Sequence, residues 1–251
     1  DTEKFVYDYK TDKIDRDSSR LILNPDDKNA LAFAMMQKKQ NPSVFVEVVT
    51  MGPMKLEEPT KDFVRLGADK AVLISDRHFA GSDSLVTSRI ISSYLSSTKY
   101  DVLLTGTHTL DGGTGHVGPQ IAEIMRINQF SNIVSIPSLT EEYSIVEAFQ
   151  EEKTYHLKIK NPSVLSVTHQ MNLRLGFVRY ENIGKNVEDQ FELVTNETLQ
   201  LPAGEIGGKG SPTKVKKNVV VKREQVAHKV VKVDDQGIDE VVQFLKEKGY
   251  L

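Results

Sequence analysis

The sequence predicts an α/β protein built on a doubly wound, mostly parallel sheet. Three observations predict it. Short apolar runs alternate with helix-favouring segments over the first 130 or so residues, the pattern of strand–helix units covered on both faces. Turns rich in Gly, Pro, Asp and His follow those runs, and in such sheets ligands bind beyond the carboxyl ends of the strands. The third observation is one stretch, Gly106 to Gln120, which reads GTHTLDGGTGHVGPQ between an apolar run and a helical pattern. A glycine-rich turn in that position lets backbone N–H groups approach a phosphate, and the positive end of the helix faces the anion.

The elements follow in order. Asn24-Pro25-Asp26-Asp27 opens a helix over 24–40, with acidic groups at its start and Ala30 to Met36 behind them. Val44 to Val49 reads as a buried strand that stops at Met51-Gly52-Pro53. Residues 55–66 form a polar helix with Leu56, Phe63, Val64 and Leu66 inward, closed by Leu66-Gly67-Ala68-Asp69. Strands at 70–74 and 101–104, a helix at 84–95 and a helix at 117–126 complete the alternating part. After residue 130 the rhythm changes. Residues 143–149 and 154–159 read as a hairpin, 164–167 as a short buried strand, and 176–215 as loop-rich. A tail from Thr213 carries valine runs at 219–221 and 226–233, then a helix from Asp234-Asp235 with Ile238, Val241, Val242 and Leu245 on one stripe. Gly249 is its stop. The organisation predicted is a nucleotide-binding domain over 1–212 and a C-terminal arm over 213–251. The arm packs on another chain or docks back on its own domain.

Composition excludes several classes. At 251 residues, 39% hydrophobic and 27% charged, the chain fits one large domain or one domain with appendages. A net charge of -3 argues against general attraction to nucleic acid, and the run Lys209, Lys214, Lys216, Lys217 reads as a solvated arm. Cysteine is absent, so disulfides, thiolate-held zinc and cysteine-ligated iron–sulfur clusters are excluded. No apolar stretch approaches the roughly 20 residues that span a bilayer, and no signal peptide is visible. A cytoplasmic protein without membrane attachment is the expectation. Metal-ligand spacing such as His-Glu-x-x-His is lacking, so no metal site is expected.

Three segments sit at predicted strand ends: Thr50 to Pro53, Ser75 to Asp83, and 106–120. The last has two readings. Gly112, Gly113 and Gly115 supply positive φ in a surface turn, or the turn cradles phosphate. It is neither a Walker A motif nor the dinucleotide fingerprint.

Over nearly its whole length the chain resembles the beta subunit of electron-transferring flavoprotein. The matching pieces are Asn24-Pro25-Asp26-Asp27, Met51-Gly52-Pro53, Leu66-Gly67-Ala68-Asp69 and Asp76-Arg77 with Phe79-Ala80-Gly81-Ser82-Asp83. Further matches are the 106–120 loop, Arg179-Tyr180 and Gly210-Ser211-Pro212-Thr213. The resemblance implies an adenine-nucleotide-hydrolase-like α/β domain whose C-terminal arm embraces an alpha subunit. It implies nucleotide contacts at Asn24, Pro25, Asp26 and Asp27, at Met51 and Gly52, and along Thr109, Leu110, Asp111, Gly112, Gly113, Thr114, Gly115, His116, Val117, Gly118 and Gln120. Backbone N–H groups of 112–118, with the Thr114 hydroxyl, would hold phosphates. Arg77, Phe79 and Asp83 are candidates for contact with NADH; the other reading of Asp83 is a cap for helix 84–95. His108 and His116 lie in or beside the loop.

Family members that hold only AMP resemble one another in an Asp-Asp-Asp-x-Asn-Gln-Thr loop. The loop here, Asp111 to Pro119, resembles the glycine-richer Asp-Gly-x-Thr-x-x-Val-Gly-Pro loop of electron-bifurcating members, which hold a second FAD. FAD is therefore the expected cofactor, with AMP as a structural filler the alternative. NADH is expected as hydride donor. Ferredoxin and the FAD of an alpha subunit are the expected electron acceptors, and no acid–base catalytic residue is expected. Beyond the alpha subunit stands a flavoprotein dehydrogenase. The docking loop Glu181 to Gln190 is acidic where housekeeping members are basic, which leaves a lactate- or glycolate-type partner open beside an acyl-CoA dehydrogenase. Family members also begin with a strand that precedes the Asp-Thr opening this chain. Without that central strand the sheet would show a gap of roughly 10 Å, two strand spacings, so a longer natural N-terminus is expected.

Overall fold

The computed structural model describes residues 6–8, 13–15, 22–110, 112–214 and 229–251. The chain divides into two compact units, Asp1–Lys216 and Lys217–Leu251. In the first, β1 (Val6–Asp8) and β2 (Lys13–Asp15) pair antiparallel. Then come α1 (Pro25–Gln40), β3 (Glu47–Met51), α2 (Glu57–Leu66), β4 (Lys70–Ile74), α3 (Ser84–Leu95), β5 (Val102–Gly106) and α4 (Val117–Met125). A meander of β6 (Asn128–Leu139), β7 (Tyr143–Gln150) and β8 (Lys153–Lys160) follows, then β9 (Ser163–Val167), which returns between β5 and β6. After several short turns, β10 (Phe191–Val194), α5 (Asn196–Leu199) and α6 (Gly207–Gly210) complete the unit. The second unit contains α7 (Asp235–Glu247), whose N-cap Asp234 accepts from the Gly237 N–H at 2.8 Å.

Local chemistry sets these limits. α1 starts with proline in its first turn, carries Asp26 and Asp27 there, and ends with Lys38 and Lys39, a charge order that matches the helix dipole. α2 ends at Gly67, whose φ of 124° an L side chain rarely adopts. The Asp83 carboxylate caps α3 through the Val86 N–H at 3.0 Å.

The strands form an α/β layer with mostly parallel neighbours around its centre. β10, β4 and β3 are parallel in that order. β5, β9 and β6 are parallel in a second sheet, which β7 and β8 extend antiparallel. Central strands are apolar on both faces, as parallel strands covered by helices must be. Residues 71–74 of β4 are wholly buried, and so is all of β9. On β9, Val164 joins a core built with α3 and α4, while Leu165 and Val167 join a second core with Ala30 and Phe33 of α1. The layer is interrupted between β3 and β5. Each ends a sheet, and all five residues of each are only partly buried.

Candidate functional site

Parallel strands β3 and β4 end at Met51 and Ile74, and β5, parallel to β9, ends at Gly106. Met51 is partly buried against the α3/α4 core. Gly52 donates its N–H to the Ile74 carbonyl at 3.1 Å, and a Cβ there would lie 2.3 Å from Leu56 Cδ1. A side chain there would displace the Leu56 side chain.

The start of α1 is fastened to the segment leaving β5. Asp27 Oδ1 accepts from the Gly106 N–H at 2.7 Å, and Asp26 Oδ2 from the His108 N–H at 3.0 Å. Asp26 Oδ1 accepts from the His169 N–H at 2.7 Å, with the His169 ring Nδ1 at 3.0 Å. Asn24 Nδ2 donates to the His108 carbonyl and to Asp27 Oδ2, both at 2.7 Å. Asp26 is buried, so these bonds keep its charge paired. A Cβ on Gly106 would lie 2.8 Å from Asp26 Cβ and from the Asp27 N. The polar groups expected to touch a nucleotide thus hold the loop that would touch it. Spacing could not reveal this, because the partners lie some 80 and 140 residues apart.

Beyond His108 the loop turns outward. Thr109, Leu110, Gly112, Gly113, Thr114 and His116 are exposed, whereas Gly115 and Val117 are half-buried; Asp111 lies outside the described residues. Gly113 has φ 60° and Gly115 φ 64°, a region that favours glycine. Gly113 donates its N–H to the Thr109 carbonyl at 3.0 Å, closing a turn. A Cβ on Gly113 would meet nothing nearer than 3.7 Å, so its outer side is open. Gly118 differs: a Cβ there would sit 2.5 Å from Ser166 Oγ and 2.9 Å from Thr105 Oγ1. That glycine lets α4 lie against β5 and β9. The first turn of α4 has few donors. Pro119 has none, the Gln120 N–H reaches the His116 carbonyl, and His116 gives no side-chain cap. The N–H groups of Val117 and Gly118 have no acceptor within the helix. Gln120 accepts at Oε1 from Ser88 Oγ at 3.0 Å and so ties α4 to α3.

The segment after β4 is more closed. Asp76 accepts from the His78 N–H and ring Nδ1 at 2.9 and 2.7 Å, and from the Asn196 N–H at 2.9 Å. The His78 N–H chiefly, against some opposition from burial, holds the Asp76 carboxyl below its ordinary range. Asp83 accepts from the Val86 N–H on one oxygen and from the Thr213 N–H and Oγ1 on the other, at 3.0 and 2.6 Å. Phe79 is 5% exposed and belongs to the α3/α4 core. Of the three residues expected near NADH, only Arg77 has an exposed side chain.

The expected docking loop is braced by α2. Lys61 Nζ lies 2.6 Å from Glu188 and 2.8 Å from Glu57, and 4.9 Å from the centre of the Phe191 ring. Asn182 Nδ2 donates to the Arg65 carbonyl at 3.0 Å, and Arg65 Nε to the Lys185 carbonyl at 3.0 Å. Phe177 and Tyr180, each 92% exposed, and Ile183 project from this braced loop. Part of its acidity is committed internally, Glu188 to Lys61 and Glu181 to Arg179.

A parallel-rich α/β layer with a glycine turn and a helix start after one of its strands defines an α/β class of protein in which ligands commonly bind beyond the carboxyl ends of the strands. The family follows from comparison with known proteins: residues 11–183 match the electron transfer flavoprotein domain. The chain is 32% identical to the electron transfer flavoprotein subunit beta of Clostridium acetobutylicum, over 92% of this chain and 88% of that protein. It is 32% identical to the caffeyl-CoA reductase-Etf complex subunit CarD of Acetobacterium woodii, covering 86% and 82%. It is 28% identical to the acryloyl-CoA reductase electron transfer subunit gamma of Anaerotignum propionicum, covering 94% and 90%. The chain belongs to the electron transfer flavoprotein family and is similar to its beta subunits throughout. Among the described residues, no helix is long and apolar enough to cross a membrane.

Proposed function

We propose that this beta subunit holds FAD on the 106–118 loop, in complex with an alpha subunit, and takes part in NADH-dependent electron bifurcation to ferredoxin and a flavoprotein dehydrogenase. The observation that carries the reading is Gly113. Its left-handed backbone lies at an exposed turn where, among the described residues, a Cβ would touch only the Thr109 carbonyl oxygen, at 3.7 Å; a diphosphate would have room there that a side chain would remove. The N–H groups of Val117 and Gly118, which have no acceptor within the helix, and the Thr114 hydroxyl are suitable donors to phosphate oxygens. When bound, the flavin supplies hydride acceptance and one-electron release. The chain's own residues supply placement: Asn24, Asp26 and Asp27 fix the inner half of the loop, and Gly118 fixes the helix behind it. No acid–base side chain is assigned.

The dehydrogenase beyond the alpha subunit is proposed to be of the acyl-CoA type. Two relatives are named for reductases of CoA thioesters, and the internal pairing of Glu181 and Glu188 weakens the case from acidity for a lactate- or glycolate-type partner. The test is the cofactor content of the purified heterodimer. Two flavins per heterodimer are expected by absorption and chromatography of the released cofactors. One flavin plus AMP would replace the reading with a scaffold subunit. Gly113→Val is expected to lose the second flavin and keep the heterodimer; full flavin content in that variant would move the site elsewhere.

A further inference from the structure

Residues 176–190, between β9 and β10, contain no strand and no α-helix, and Val187 is the only buried residue among them. A segment with so little apolar burial ordinarily belongs to the least stable part of a structure. Two cations one helical turn apart on α2 fasten it instead. Lys61 Nζ reaches Glu188 at 2.6 Å and is held on its own helix by Glu57 at 2.8 Å and Glu58 at 3.4 Å. Arg65 Nε donates to the Lys185 carbonyl at 3.0 Å, and the Arg65 carbonyl accepts from Asn182 Nδ2 at 3.0 Å. Asp62 and Glu58 hold Arg65 Nη1 at 2.7 and 3.2 Å. The helix thus grips the segment at 182, 185 and 188, and Gly184, with φ 71°, makes the turn between the first two.

Burial sets these cations apart from ordinary surface pairs. The Lys61 side chain is 5% exposed and that of Arg65 11%. Buried ion pairs are costly to desolvate, and apolar side chains of similar volume often give equal stability. An apolar contact, however, cannot fix direction, whereas a charge-assisted bond meets its acceptor at one place. The bonds to Glu188 first and Glu57 next hold the Lys61 ammonium above its ordinary value against burial, so the grip persists across the neutral range. The segment so held exposes Phe177, Tyr180 and Ile183. Aromatic anchors dominate binding hot spots, and a loop ordered before binding loses less freedom on association.

We propose that Lys61 and Arg65 are positioning residues for electron delivery: they hold residues 176–190 in the form that docks on the flavoprotein dehydrogenase, so that affinity for that partner is set from α2 by groups that do not touch it. The inference rests on the reading that the complex exchanges electrons with such a dehydrogenase. Its test is reoxidation of the reduced heterodimer by an acyl-CoA dehydrogenase and, separately, by a glycolate-type flavoprotein dehydrogenase, each varied in concentration. Lys61→Met should raise the KM for the accepting flavoprotein about tenfold, with kcat, flavin content and heterodimer those of the parent. Lys61→Arg should recover most of the loss. Glu188→Gln and Asn182→Ala, which leave α2 intact, should each raise KM about threefold, and amide exchange over 182–190 should quicken in step. A parent-like KM in Lys61→Met overturns the inference, and where that chain does not fold, a parent-like KM in Glu188→Gln and Asn182→Ala does the same. So does a rise that Lys61→Arg fails to relieve, or loss of the heterodimer, either of which would make the grip purely structural. A parent complex that neither flavoprotein reoxidises would instead defeat the dehydrogenase reading itself, and the positioning role with it.

Discussion

Two segments leave the carboxyl ends of parallel strands and are built in opposite ways. The one after β4, residues 75–83, is closed on itself. Asp76 and Asp83 each answer three donors, Phe79 is in the core, and Ser211 bridges it to α6. The one after β5, residues 107–116, is held only from below. Its inner residues are bound by Asp26, Asp27 and Asn24, and its outer half is exposed. The first segment is a wall and the second a seat. Polar backbone at a helix start that the protein leaves unpaired is favourable only in contact with water or an anion. The contrast is one of the reasons for proposing the cofactor at the second segment rather than at the first.

The largest expected effect tests the fastening of the seat. Asp26→Ala removes the acceptor of the His108 and His169 N–H groups. Each donor left unsatisfied costs about 1–3 kcal/mol, so a loss of roughly 2–5 kcal/mol is expected in denaturant unfolding of the complex, with loss of flavin. Retention of both would show that the loop stands without α1. The next effect separates two glycines. Gly118→Ala forces a methyl against Ser166 and Thr105 and should cost about 1–3 kcal/mol. Gly113→Ala meets only an ordinary contact with the Thr109 carbonyl oxygen and carries the backbone penalty of a left-handed L residue, about 1–2 kcal/mol. The flavin effect should run the other way, larger at 113 than at 118. Equal flavin loss in both variants would dissolve the distinction between seat and support.

A smaller effect belongs to the wall. Burial alone would raise the Asp83 carboxyl, but the bonds from Thr213 and the Val86 N–H outweigh it and hold it below its ordinary range. A depressed folded value contributes stability above the unfolded carboxylate value, about 3.9, and loses it as pH falls through the folded one. Asp83→Asn should therefore be less stable than the parent by about 1 kcal/mol near neutrality. The gap should close below about pH 4. Denaturation midpoints measured from pH 7 to pH 3 check the sign; a gap that widens in acid would be incompatible with it.

Much of this arrangement was legible in the sequence where local chemistry decides it. β4 and α3 fall on the residues that periodicity and capping mark, and α1 follows from its proline, acidic start and basic end. β10 was not legible. Its four residues sit among turns, and they are a strand because β4, some 120 residues earlier, offers a parallel edge. The division of the layer between β3 and β5 was invisible to periodicity, since pairing order is a tertiary property; a gap in the sheet was expected from the family resemblance alone. At the site, sequence marks Asp26, Asp27 and Gly118 as special but gives no direction to their side chains. Only the fold shows the carboxylates turned toward Gly106 and His108, and the glycine turned toward β9 rather than toward a ligand.

The seam between wall and seat gives the last and smallest test. α3 follows the wall and α4 follows the seat, and serines at 88, 92 and 96 recur every four residues on α3. Such spacing places them on one face. Ser88 reaches Gln120 across the seam at 3.0 Å, and Ser96 Oγ lies 3.6 Å from Met125 Sδ. Ser92, between them, is 1% exposed, and its hydroxyl has no partner among the described residues. A buried hydroxyl without a hydrogen bond is a standing cost. Ser92→Ala removes that cost, leaves a methyl-sized residue in place and improves helix propensity. It should stabilise the complex by about 1 kcal/mol, while Ser88→Ala, which orphans the Gln120 acceptor, should not. Because neither serine touches the loop, flavin content should stay constant in both. A Ser92→Ala complex that is less stable would mean that the hydroxyl has a partner in solution, and the seam would then be polar along its whole length.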